Sequence, residues 1–184
     1  MVSALTDLDT SHHFAGVKRL VVKIGSALLV SEAGEVERYW IASVIEDIER
    51  LRKENGIDVV LVASGAVALG SNLLDLPPRD KRSLEDSQAA AAAGQIILSG
   101  LFSELFRSHR RRAAQILVTL DDLQDRRRYL NASATIDRLI SLGATPIINE
   151  NDSVTTEAIR FGDNDRLAAR VAQAANADMV LLLS

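Results

Sequence analysis

The sequence predicts an α/β fold, a three-layer sandwich in which a mostly parallel sheet carries helices on both faces. Three observations point there. Short apolar runs rich in β-branched residues alternate with longer segments of helical period. The run 57–63 is almost entirely apolar, as a parallel strand covered on both sides must be. Glycine follows two of the helical segments, at Gly56 and Gly143, where a left-handed helix cap belongs.

In chain order, residues 1–17 show no sustained period and read as a flexible lead-in. A first strand, 20–24, is stopped by Gly25-Ser26. A helix over 36–55 follows, with Val36, Trp40, Val44, Ile48 and Leu51 near helical spacing. The strand 57–63 runs into the small-residue turn Ser64-Gly65-Ala66. Residues 86–109 are helical but apolar on most sides, and the small-residue run 89–94 marks either a deeply buried face or an association surface. A strand at 113–119, a helix at 126–142, a strand at 145–149, a helix at 165–176 and a strand at 178–183 complete the alternation. The last strand reaches Ser184 before any loop can form, so the chain reads as truncated on its C-terminal side.

Composition narrows the function classes. The 184 residues are 47% apolar, enough for a buried core, and no apolar run approaches the roughly 20 residues of a spanning helix. With 21 Lys plus Arg against 25 Asp plus Glu the net charge is −4, and aromatics are 4%, so neither nucleic acid nor an anionic membrane is an expected partner. The absence of cysteine excludes disulfides, thiolate zinc sites and a cysteine nucleophile, and fits the cytoplasm. His12, His13 and His109 lack metal-ligand spacing, and the basic groups at 107–112 and 126–128 read as surface or helix-end charges.

Two strands end in a glycine with a small hydroxyl beside it, at Gly25-Ser26 and Ser64-Gly65-Ala66, where backbone amides can approach an anion closely. Lys23 could aim a point charge at the same anion; the plainer alternative is tight turns and an ordinary strand lysine. Gly65 and Gly70 have the separation of a P-loop, but Ser71-Asn72 stands where Lys-Ser/Thr is needed, and no dinucleotide glycine fingerprint occurs. The densest polar group is Asn149-Glu150-Asn151-Asp152-Ser153 followed by Gly162-Asp163-Asn164-Asp165. Asp163 or Asn164 is a natural N-cap for the next helix, yet capping accounts for one acidic residue and not this crowd. Carboxylates and amides at a strand's carboxyl end suit a small zwitterion, whereas the spacing lacks the alternating ligands of a calcium loop.

Together, Val22-Lys23-Ile24-Gly25-Ser26, the stretch from Ala63 through Gly70, Ile148-Asn149-Glu150-Asn151-Asp152 and Gly162-Asp163-Asn164-Asp165 resemble the amino-acid kinase family, in its glutamate 5-kinase group, from about residue 18 to the end. The segments 88–95 and 125–131 agree as well, and Ala63 departs from the Thr common in the family. The paired Asn-Glu-Asn-Asp and Gly-Asp-Asn-Asp motifs separate the chain from acetylglutamate kinases, which share the fold.

The resemblance implies ATP-dependent phosphorylation of the γ-carboxylate of L-glutamate, the first step of proline biosynthesis, with Mg²⁺ accompanying ATP and proline as feedback inhibitor. It assigns Lys23 and Asp165 to catalysis, Ser64, Asn149, Asp152, Asp163 and Asn164 to glutamate, and the backbone at Gly25, Ser26, Gly65 and Ala66 to phosphate. Ser184 would open the nucleotide pocket, and no residue is a clear metal ligand. A homo-oligomer is expected, and the family's kinase domain continues beyond this point, often with a PUA domain. The 184 residues are thus expected to be the inactive amino-acid-binding portion of such a kinase; the alternative is a glutamate- or proline-binding module without catalysis.

Overall fold

The computed structural model describes residues 13–31, 34–154 and 163–184, with the side chain of Asp163 outside that description. Five strands form one parallel sheet in the order β3-β4-β2-β1-β5. In sequence, β1 (Arg19–Ile24) leads through a single turn, α1 (Ser26–Leu29), to α2 (Arg38–Asn55), then to β2 (Asp58–Ala63) and α3 (Ala66–Leu73). α4 (Leu84–Ser108), β3 (Arg112–Val118), α5 (Arg126–Ser141), β4 (Ala144–Glu150), α6 (Asp163–Ala174) and β5 (Met179–Leu183) follow. Each expected strand and helix is present within two residues of its expected bounds.

Strand alternation divides the core into two layers. Leu20, Val22 and Ile24 of β1, with Val59 and Leu61 of β2, pack on α2, α3 and α4. Val21 of β1, with Val60 and Val62 of β2 and Ile148 of β4, packs on α5 and α6. That is the three-layer sandwich expected from the sequence.

Some elements differ from the sequence reading, each for a physical reason. α3 had no period of its own to show, being eight residues with a glycine inside. α4 starts two residues early because Ser83 caps it: its hydroxyl accepts from the Asp86 N–H at 3.0 Å, and the Asp86 carboxylate accepts from the Ser83 N–H at 3.1 Å. α6 begins at Asp163, so Asn164 lies inside the first turn and not ahead of it as a cap. α4 is also long and apolar enough to pass for a membrane span by composition, contrary to the expectation of no such run. Its apolar face, with Leu98, Phe102 and Phe106, is buried against the sheet.

The run 89–94 covers a neighbouring helix. A Cβ built on Gly70 of α3 would stand 1.8 Å from the Ala90 carbonyl oxygen of α4, and one on Gly94 would stand 1.8 Å from the Ala66 carbonyl oxygen. The two helices touch backbone to backbone, and only glycine fits at either position.

At the sheet edge remote from the strand carboxyl ends, the carboxylate of Glu49, buried in α2, accepts from Arg111 Nε at 3.2 Å and lies 3.5 Å from Arg52. Burial, with Arg111 close by, holds the Arg52 guanidinium below its ordinary range.

Candidate active site

All five strands run the same way, so their carboxyl ends share one edge of the sheet, where a cleft of about 1360 Å³ opens. Lys23, Gly25, Ser26, Ser64 and Gly65 line it from the ends of β1 and β2, and Asn149 and Asp152 from the end of β4. Asn164, Asp165 and Ser184 complete that end.

Period-two alternation decides what each side chain can reach. Lys23 shares the face of Val21, and Ser64 continues the face of Val60 and Val62, so both look toward α6. The first turn of α6 meets them. Lys23 Nζ lies 2.8 Å from Asp165 Oδ1, with the lysine side chain only 9% exposed. A buried ammonium needs such a partner. Asn164 Nδ2 donates to Ser64 Oγ at 2.6 Å, while Asn164 Oδ1 is buried without a hydrogen-bond partner among the described residues. An orphaned acceptor of this kind costs about 1–3 kcal/mol until a donor reaches it.

The glycine turns behave differently from each other. Gly25 was expected to offer its amide to phosphate, but its N–H donates to the Leu183 carbonyl at 2.9 Å and extends the β1–β5 ladder. What Gly25 supplies is room: a Cβ there would lie 3.4 Å from Lys23 Nζ and 3.3 Å from the Leu183 oxygen. The amides of Ser26 and Ala27 precede the first hydrogen bond of α1, Leu28 N–H to the Gly25 carbonyl. Gly65 sits at φ +96°, a conformation L side chains avoid, and this turns the amides of Ala66 and its successors ahead of the first α3 bond, Leu69 N–H to the Gly65 carbonyl.

Asn149 faces the other layer, with Ile147. It is buried; its Nδ2 donates to Gln95 Oε1 of α4 at 2.8 Å, and its Oδ1 accepts from the Glu150 N–H at 2.9 Å. Asp152 follows on the cleft wall. Asp163 opens α6, its side chain lying outside the described residues, as does Gly162.

Sequence reasoning missed the wall opposite, where the α3–α4 connection brings Arg79, Arg82 and Ser83 to the cleft. Arg82 Nε donates to the Pro77 carbonyl at 2.5 Å. The signal was the basic group after Pro77-Pro78, which resembles an ordinary solvated loop.

A parallel sheet with a lysine–aspartate pair and two amide-rich turns at its carboxyl edge has the parts of a phosphoryl-transfer site. The amino acid kinase family model matches residues 18–184, and the chain belongs to that family. Similar proteins include the glutamate 5-kinases of Sphingopyxis alaskensis (60% identical over 92% of this chain and 46% of that one) and Zymomonas mobilis (56% over 90% and 42%). The glutamate 5-kinase of Agrobacterium fabrum is 55% identical over 95% of this chain and 43% of that one. The chain thus spans less than half the length of these curated relatives.

Proposed function

We propose that these residues are the amino-acid-binding portion of a glutamate 5-kinase, which transfers the γ-phosphoryl group of ATP to the γ-carboxylate of L-glutamate and so starts proline biosynthesis. The observation that carries this is the first turn of α6, where Asp165 holds Lys23 and Asn164 holds Ser64 side by side at one cleft. The names of the relatives support the choice of substrate.

In this reading a γ-carboxylate oxygen attacks the γ-phosphorus of ATP, the bond from phosphorus to the bridging oxygen breaks, and ADP leaves. The carboxylate is already ionised, so no general base is needed. The protein contributes position and positive charge. Lys23, oriented by Asp165, and the amides at Ser26 and Ala66 face the transferred group, while Asp152 and Asn164 Oδ1, which has no partner among the described residues, accept from the glutamate ammonium. Among the described residues no three His, Cys, Asp or Glu side chains converge as a metal site. Mg²⁺ enters this reading with the ATP substrate, whose phosphate charges it would neutralise. Ser184 borders the nucleotide, proline competes as an inhibitor built on the same ammonium and carboxylate, and the enzyme works in the cytoplasm as a homo-oligomer.

The test is acyl phosphate formation, trapped as the hydroxamate, by a protein of the relatives' length carrying these residues. Glutamate-dependent hydroxamate that needs ATP is expected; ATP-dependent product from other amino acids but not from glutamate would refute the substrate.

A further inference from the structure

We infer that Gln95 is a positioning residue for the amino-acid site, an inference that rests on the kinase reading above. Gln95 lies on the sheet-facing stripe of α4, four residues after buried Ala91 and three before buried Leu98. A polar side chain on an otherwise apolar stripe needs a partner. Its partner is the buried Asn149: Asn149 Nδ2 donates to Gln95 Oε1 at 2.8 Å. With that donor committed, the Asn149 oxygen is turned back to take the Glu150 N–H at 2.9 Å. The asparagine amide is thereby fixed at both ends, and the chain leaves β4 in the direction that brings Asp152 to the cleft.

The position of Gln95 is itself over-determined. Its neighbour Gly94 is in backbone contact with α3 at Ala66, the residue whose amide opens the second anion turn. α4 cannot slide without moving that turn. One helix therefore sets both the phosphate amides of α3 and, through a single acceptor atom, the end of β4. Gln95 acts on glutamate through Asn149 and does not touch the phosphoryl group. Losing it should affect amino-acid binding and spare chemistry.

The variants Gln95→Leu and Gln95→Glu separate positioning from packing. Leucine keeps the apolar stripe and removes the acceptor; glutamate keeps the acceptor. In the kinase at its relatives' length, Gln95→Leu should raise KM for glutamate about tenfold, the effect of one hydrogen bond to a buried group, with kcat and KM for ATP within about twofold. Gln95→Glu should stay within about threefold of wild type in every parameter. An unchanged glutamate KM in Gln95→Leu overturns the inference, as does a Gln95→Glu variant as impaired as Gln95→Leu.

The side-chain amide protons of Asn149, followed by NMR in the 184-residue chain, provide a readout independent of activity. They should be protected from exchange in wild type and Gln95→Glu and exchange rapidly in Gln95→Leu; equal exchange in all three overturns the inference. If the wild-type kinase makes no acyl phosphate from glutamate, the kinase reading fails. The exchange pattern then decides alone whether Gln95 fixes Asn149.

Discussion

Lys23 is a cation in a nearly closed place, paired to a carboxylate that is itself half exposed. In the proposed reaction that asymmetry would let the lysine stay in place while its partner loosens as a phosphate arrives. Lys23→Ala in the complete kinase should lower kcat by about two decades or more while leaving glutamate affinity nearly intact, because a charge aimed at the moving group acts mainly on the transition state. Steady-state kinetics with glutamate titrations check it, and near-normal kcat would remove Lys23 from the chemistry. Asp152→Ala should instead raise KM for glutamate ten- to a hundredfold, the loss of a charge-assisted bond of about 1.5–3 kcal/mol, and leave KM for ATP unmoved. At this scale much was legible. Lys23, Ser64, Asn164 and Asp165 share one cleft, as their motifs suggested. Period two alone places Lys23 and Ser64 on one face and Asn149 on the other. Illegible were the uses of backbone: that Gly25 spends its amide on Leu183 depends on which strand becomes its neighbour, and nothing local encodes that.

The α3–α4 pair holds the tightest glycine contacts among the described residues. Replacing Gly94 by alanine puts a methyl group into the Ala66 carbonyl, and backbone on both sides cannot yield as a side chain would. Gly94→Ala should cost about 2–3 kcal/mol, read as a lowered urea midpoint, although alanine favours helix; a midpoint at or above wild type would show that the helices can part. Asp178 makes a second junction, before β5, where its carboxylate accepts from the Arg19 N–H at 2.9 Å and the Lys18 N–H at 2.8 Å. The Arg19 and Lys18 amides pull its pKa below the ordinary value of 3.8. A depressed carboxylate stabilises the fold above its unfolded pKa and loses that contribution as pH falls through the folded one. The midpoint gap between wild type and Asp178→Asn should therefore stay level from pH 7 to 5 and close below about pH 4. Helices with strong periods, such as α2 and α5, could be read directly from spacing. α3 could not, since its length and its glycine are explained only by the helix crossing it.

Across the whole sheet β3 forms one flank and β5 the other, and β5 is the more apolar of the two. Val180, Leu181 and Leu182 are 38%, 36% and 49% exposed, and beyond them the strand has no neighbour among the described residues. An apolar edge invites pairing, so sedimentation velocity on the 184-residue chain should show association that grows with concentration and is suppressed by Leu182→Lys; a monomer at all concentrations would mean the edge is protected. Strand order was not readable from the sequence beyond its parallel class, because it depends on crossovers and not on local pattern. That order has a temporal consequence. Ser64 and its partner Asn164 are 100 residues apart, and β1 receives its second neighbour only from the last strand. The layer built on α2, α3 and α4 takes its core almost wholly from earlier residues, so on a growing polypeptide it can condense while the cleft still lacks one wall. A ligand that needs both Ser64 and Asn164 therefore cannot guide the earlier layer toward its shape. It can only hold the assembled cleft in place, slowing its loss once α6 has arrived.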